Sequence, residues 1–215
     1  VGMANDYSLP GIKISPLYYW IESDGRQHSV AEALEYAEWV EVEGEFNLGY
    51  NYQSSWFMQD IQAFIKEDWI FQVPYPLLDN LDLYLFKGDE LILEVQTGDA
   101  VPFSQKALRV HDFILGLSVS EPSNYRLVGR IETQGTLMLP IKWQTEKDYA
   151  ENLAVNQMIY GIYYGVLMIM ALYHLFIYFV IRERGYLFYV LSVSAFILLQ
   201  LAFDGRGFSW IWPEY

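Results

Sequence analysis

Residues 161 to 189 read GIYYGVLMIMALYHLFIYFVIRERGYLFY, an apolar run whose formal charges are confined to Arg182, Glu183 and Arg184. With His174 neutral, the uncharged segment is longer still, covering 27 residues from Val155 to Ile181. A helix of that length reaches roughly 40 Å, which exceeds the roughly 30 Å hydrocarbon core of a bilayer. The surplus puts Asn156 and Gln157 in the interface. A second run, Tyr186 to Phe203, is 18 residues long, with Ser192, Ser194 and Gln200 as its polar members. Core helices of a soluble protein carry a polar stripe, and neither run has one. The pattern predicts two transmembrane helices, at about 156–181 and 186–203, joined as a hairpin.

Orientation follows from the connecting loop. Arg182 and Arg184 give it the positive-inside signature, whereas the segment before the first span mixes Lys147 with Asp148 and Glu151. What precedes the spans is therefore expected outside the cell, and Trp210, Trp212 and Tyr215 suit an aromatic belt on that same side. Two features of the first span are candidates for packing or relay. Gly161 and Gly165, four residues apart, permit close helix approach, and His174 is an ionisable group deep in the span. A neutral imidazole bonded to a neighbouring helix is the plainer reading of His174.

The 215-residue chain carries a net charge of -14, and the residues from Val155 onward hold three charges of each sign. The whole excess belongs to residues 1 to 154. An acidic head with a sequence pI near 4.5 argues against nucleic-acid binding, which needs a basic patch. The absence of cysteine removes disulfides, thiolate nucleophiles and cysteine-ligated metals, and leaves the redox compartment undecided. No charged n-region followed by an apolar stretch stands at Val1, so a signal peptide is either removed or outside this sequence.

Within the head, Ser29-Val30-Ala31-Glu32 is a capping box that opens a short helix. Beyond it the pattern turns to strands: 54–61, 69–73, 81–86, 91–95, 113–119, 125–131 and 137–143, separated by turns such as Lys87-Gly88-Asp89 and Glu121-Pro122-Ser123-Asn124. Short strands at this spacing predict an all-β sandwich. Alternation in Leu81-Asp82-Leu83-Tyr84-Leu85-Phe86 sends the leucines to one face and Asp82, Tyr84 and Phe86 to the other. The second face suits a sugar, because an aromatic ring offers a flat platform and carboxylates accept hydroxyl hydrogen bonds. Glu41, Glu43 and Glu45 alternate along an extended segment. They are either a solvated face or one side of a glycosidase carboxylate pair, which would need a facing carboxylate across a cleft. The three histidines form no ligand pair and no metal site is expected.

Further motifs complete the head: Asn47-Leu48-Gly49, Trp56, Pro76-Leu77-Leu78-Asp79-Asn80-Leu81-Asp82-Leu83-Tyr84, Gly98-Asp99-Ala100-Val101-Pro102-Phe103, Arg130 before Gly135, and Pro140. In the tail stand Gly161-Ile162-Tyr163-Tyr164-Gly165, Leu172-Tyr173, Arg182-Glu183-Arg184, Tyr186-Leu187-Phe188-Tyr189, Gly207 and Pro213. On these residues the chain resembles the bacterial seven-transmembrane receptors with diverse intracellular signalling modules, beginning with their type 2 extracellular domain. The resemblance covers about Tyr18 to Tyr215. It implies a jelly-roll sandwich similar to carbohydrate-binding modules at 1–150, then the first two of seven helices at 151–215. It also implies a bacterial inner (cytoplasmic) membrane location with 1–154 in the periplasm, and relay to a cytoplasmic kinase, cyclase or phosphatase module.

In such a receptor this chain is a non-enzymatic sensor that needs no cofactor, with a carbohydrate or cell-wall-derived small ligand. Trp56, Asp82, Tyr84 and Arg130 are the candidate contacts; sandwich packing is the competing role for all four, with Arg130 pairing a local carboxylate, and it is the favoured role for Trp56. Asn47, Gly49, Gly98, Asp99, Pro102 and Phe103 belong to the family motif. The other reading is a protein-interaction or homodimerisation module without a small ligand. The chain departs from the family pattern at Met58 and Lys106, where arginine is usual, and at His174, where asparagine is common. Loss of a planar five-donor guanidinium changes which group is held.

Overall fold

The computed structural model describes residues 7–23, 26–44, 46–50, 53–75, 78–98 and 113–203. Along the chain these form β1 (Tyr7–Leu9), β2 (Ile12–Ile14), β3 (Tyr18–Ile21), α1 (Val30–Tyr36), β4 (Val40–Glu41), β5 (Asn47–Tyr50), β6 (Ser55–Ala63) and β7 (Asp68–Val73). There follow β8 (Asn80–Lys87), β9 (Glu90–Thr97), β10 (Phe113–Ser118), β11 (Ser123–Glu132), β12 (Thr136–Met138), β13 (Lys142–Thr145), α2 (Glu146–Ile181) and α3 (Arg184–Phe203). The chain divides into two units, one ending at Glu146 and one starting at Lys147.

The first unit is an antiparallel β-sandwich. Its large sheet runs β1-β2-β6-β11-β8-β9, with β3 also paired to β6, and β4 to β3. The long β6 serves two neighbours on one edge, β2 along its C-terminal part and β3 along its N-terminal part. The smaller sheet runs β10-β7-β13, and β12 pairs with β5. Alternation decides the layers. Leu81, Leu83 and Leu85 are at most 2% exposed and join the core, while Asp82, Tyr84 and Phe86 lie half-buried on the opposite face.

Facing them across the core are Trp69, Phe71 and Val73 of β7 and Phe113, Leu115 and Leu117 of β10. Phe57 of β6 stacks on Phe71 at 6.2 Å and 17°, tying the layers together. Each fully buried leucine or phenylalanine side chain contributes about 1.5–3 kcal/mol. Strand order and layering are compatible with a jelly roll.

The strands expected from Ser54 onward are present with their ends moved by at most two residues, except for 137–143. That segment is two strands, β12 and β13, because Pro140 between them has no backbone N–H to give a ladder. The strands β1 to β5 precede the first one expected from the sequence. They are two to four residues long, too short for alternation to register.

The second unit is helical. Two helices, Glu146–Ile181 and Arg184–Leu201 by their apolar windows, are long and apolar enough to cross a membrane. The helix α2 has 36 residues, about 54 Å at 1.5 Å per residue, and begins ten residues before the expected span. Glu146 and Asp148 in its first turn complement the helix dipole, and Ala150, Glu151, Leu153 and Ala154 are good helix formers with no glycine or proline among them.

The turn after α2 is shorter than expected: α3 starts at Arg184, so Gly185 is helical and only Arg182 and Glu183 connect. Arg182 takes a left-handed φ of 58°. His174 Nδ1 lies 2.8 Å from the Met170 carbonyl, to which it donates, and its ring is 4.1 Å from that of Tyr189 on α3. Among the described residues none lies within 4 Å of a Cβ built at Gly161 or Gly165, so the helix face they share is open for a neighbouring helix to approach.

Candidate ligand site

Register assembles the site on the outer face of the large sheet. Trp20 of β3, Trp56 of β6, Arg130 of β11, Asp82 of β8 and Gln96 of β9 stand in one row across five strands. The next row is Tyr18, Met58, Val128, Tyr84 and Glu94. The four residues proposed from the sequence, Trp56, Asp82, Tyr84 and Arg130, are thus brought together on three adjacent strands.

Part of this face is roofed. The helix α1 starts at Ser29, whose hydroxyl accepts from the Glu32 backbone N–H at 3.3 Å while the Glu32 carboxylate accepts from the Ser29 N–H at 2.7 Å. The Ser29 N–H and the Ser29 hydroxyl, both donating to that carboxylate, hold the Glu32 carboxyl below the usual carboxylate range. This capping box places Ala33 against Trp56 and Val128, with Trp20, Trp39, Met58, Tyr84 and Phe86 around them. Trp56 is 1% exposed. It has no open ring face for a sugar to stack on, and its place is beneath the site: its ring stacks with Tyr84 at 6.2 Å and 22°.

Under α1 lies a charged network that sequence reasoning missed at its centre. Glu22 is 4% exposed. Its Oε1 accepts from Trp56 Nε1 at 2.7 Å and from the His28 backbone N–H at 3.2 Å. Arg130 Nη2 lies 3.5 Å from Glu22 Oε2, pairs with Glu132 Oε1 and donates to Ser54 Oγ at 2.8 Å. Ser54 in turn donates to Glu132 at 2.9 Å. The guanidinium carbon sits 5.9 Å above the Trp56 ring, within cation–π reach. Burial works against the charged guanidinium, yet Glu132 and Glu22 outweigh it and hold its pKa above the ordinary arginine value. Arg130 Nε is buried with no partner among the described residues.

Asp82, and Tyr84 at the margin of the roof, keep partial exposure. Burial pushes the Asp82 carboxyl up, Arg130 opposes it, and Glu132 and Glu94 add to the rise. No hydrogen bond or ion pair to Asp82 forms among the described residues. Burial also raises the Tyr84 phenol, reinforced by Asp82 and Glu94. A half-buried carboxylate next to an amide in register, Gln96, and a tyrosine ring can accept and donate hydrogen bonds to a hydroxylated ligand.

The motif residues are structural where they are described. Asn47 Oδ1 accepts from the Gly49 N–H at 2.9 Å, an Asx turn that sets Gly49 at a φ of 65°. Gly98 has a φ of 144°, and a Cβ there would collide with the Asp79 carbonyl oxygen. The motif segments 76–84 and 98–103 therefore meet backbone to backbone at Asp79 and Gly98. Asp79 also accepts from the Gln134 N–H at 2.7 Å. Asp99, Pro102, Phe103 and Lys106 lie outside the described residues, as do Gly207, Trp210, Trp212, Pro213 and Tyr215. Glu41 and Glu43 are solvent-exposed, and Glu45 is outside the described residues. Among the described residues no group of three His, Cys, Asp or Glu side chains is placed to hold a metal ion.

An antiparallel sandwich with a polar and aromatic outer face is followed in the chain by two helices long and apolar enough to cross a membrane, the order of a membrane protein with a folded domain outside the bilayer. The family comparisons are specific about which. The model described as 7TMR-DISM extracellular 2 matches residues 16–145, and 7TM diverse intracellular signalling matches residues 156–215. The chain belongs to the 7TMR-DISM family, carrying its type 2 extracellular domain and the start of its seven-helix region. It is a membrane protein with an extracellular segment, built from sensory and signalling domains.

The search of curated proteins returns no match. Among solved structures, β-glucosidase from Kluyveromyces marxianus is similar at 12% identity and a TM-score of 0.32 over 66% of this chain and 17% of that one. An anti-sigma factor domain-containing protein from Clostridium clariflavum is similar at 13% identity and 0.33 over 68% and 46%. This chain therefore spans less than half the length of either, and scores this low carry no argument about ligand or activity.

Proposed function

We propose that this chain is the ligand-sensing end of a bacterial receptor, sited in the inner membrane with residues 1–154 in the periplasm, and that its ligand is carbohydrate-like. In this reading residues 1–150 are the sensor domain and 151–215 the first two of seven helices, whose continuation relays to a cytoplasmic output module. The ligand lies against Asp82, Tyr84, Glu94 and Gln96, while Arg130 and Trp56 position that surface from beneath. The observation that supports it is the half-buried Asp82 carboxylate, unpaired among the described residues and flanked in register by an amide. A partly desolvated carboxylate gains when a ligand hydroxyl donates to it in place of the water it has lost. Bound sugar biases the sandwich between two arrangements, and β13 is followed directly in the chain by α2.

The test is thermal melting of the 215-residue chain in lipid nanodiscs against oligosaccharides and cell-wall fragments. A ligand of the native state raises the transition by mass action. A saturable rise with one of these, lost in D82A and Y84A, is expected. If none raises it while the chain dimerises, the interaction-module reading takes its place. That second reading is favoured by Leu91, Ile92 and Leu93, which are 42%, 43% and 37% exposed on β9 at the end of the large sheet.

A further inference from the structure

A partly enclosed cavity of about 530 Å³ lies within the sandwich unit, where β2 and β6 of one sheet approach β12 and β13. Its walls include Leu17, Val42, Phe46, Leu139, Ile141 and Trp143. The volume falls in the roughly 300–1,000 Å³ range of small-molecule sites. Walls of this kind do not suit a sugar, since each hydroxyl taken from water needs a partner that aliphatic side chains lack. They suit an apolar body.

Two polar features limit the occupant further. Gln59, 5% exposed, accepts from Trp143 Nε1 at 2.9 Å and donates to the Ser15 carbonyl at 3.1 Å. A primary amide has two donors and two lone pairs, so one of each is left at the cavity wall among the described residues. The second feature is charge. The chain has 27 acidic and 13 basic residues, yet no carboxylate is among the described residues lining this cavity, and Lys142 is the one formal cation there. Lys142 is exposed and therefore stands at the mouth. Glu41 and Glu43 are exposed on either side of the lining residue Val42, so Lys142 is the described charge that draws a negative head group to this cavity.

We propose that this cavity is a second ligand site, for a small amphiphile with an apolar body and one carboxylate head. The body fills the space beside Phe46 and Trp143, and the head stays at the mouth against Lys142. This goes beyond the carbohydrate reading and stands independently of it. Occupancy acts on Trp143, whose indole forms part of the wall, is held by Gln59, and belongs to the strand that leads directly into α2.

Decanoate is the probe. The 215-residue chain is labelled with fluorotryptophan and held in nanodiscs, and the Trp143 resonance is assigned by its loss in W143F. Titration is expected to shift that resonance saturably. K142Q weakens the response by about fivefold, the upper range for an exposed ion pair, and decanol binds more weakly than decanoate by a similar factor. V42W, which fills the cavity, abolishes the shift, and D82A leaves it unchanged, so the outcome is separate from that of the sugar site. The proposal is overturned if the Trp143 resonance does not move, if it moves equally in V42W through partition into lipid alone, or if decanol binds as tightly as decanoate. K142Q alters an exposed side chain and keeps the test decisive should V42W fail to fold.

Discussion

Replacing Arg130 by methionine tests whether the charged row holds the face together. The side chains of Arg130 and Glu22 are 12% and 3% exposed, so the change removes the cation from a carboxylate that water barely reaches. Removing one partner of a buried pair costs about 3–5 kcal/mol when the other charge is left without compensation. Glu22 is not left so: Trp56 Nε1 and the His28 N–H still donate to its Oε1. Two retained donors bring the expectation down to about 2–3 kcal/mol.

Amide hydrogen exchange of β6, β8 and β11, read on the nanodisc-held chain, measures this without requiring the whole chain to unfold in one step. At about 1.4 kcal/mol per factor of ten, protection falls roughly 30- to 150-fold. E22Q keeps the acceptor for Trp56 and removes the charge. The double variant E22Q/R130M then recovers about 1 kcal/mol or more relative to the sum of the single changes. A loss below threefold in R130M, or strict additivity in the double variant, refutes the network and reduces Arg130 to a surface decoration.

Three further outcomes follow from the geometry. Ala at Gly129 puts a Cβ into the Phe57 ring, which is fully buried and stacked on Phe71, so G129A destabilises by about 1–3 kcal/mol and lowers the melting temperature of the sandwich. S29A removes the N-cap of α1 at a cost of about 1 kcal/mol, and raises exchange at Val30 to Tyr36 together with acrylamide quenching of the indole fluorescence as the roof over Trp56 frays. Burial raises the Asp82 carboxyl above its unfolded value, so the native state holds that proton more readily and stability falls as pH rises through the interval between the two values. D82N escapes this loss: it melts above the wild type at neutral pH, and the difference closes once pH drops below the usual carboxylate range. A difference constant with pH refutes the assignment.

The two faces of the large sheet were legible to different degrees, for a physical reason. Alternation within one strand is a local property, so Leu81, Leu83 and Leu85 against Asp82, Tyr84 and Phe86 could be sorted without knowing any neighbour. The apolar helices were legible on the same ground, since length and absence of charge are local too. That Arg130 stands between Trp56 and Asp82 depends on two registers, β11 with β6 and β11 with β8. Register is fixed by the whole folded sheet and is not written in any one segment.

Glu22 was least legible. In Ile21-Glu22-Ser23-Asp24 it reads as one more solvated acid of a chain with net charge -14. Its burial arises because β3 pairs with the first half of β6, setting Trp20 opposite Trp56 and Ile21 opposite Ser55, so that the next residue turns in over the Trp56 indole. Once there, the carboxylate must be satisfied, and Trp56 Nε1, the His28 backbone N–H and Arg130 do it. The same pairing explains why Trp56 is a platform for the site rather than its surface. The one tryptophan among the four candidate contacts is the residue whose indole N–H fixes a buried acid, and the groups left open to a ligand are its neighbours along the sheet.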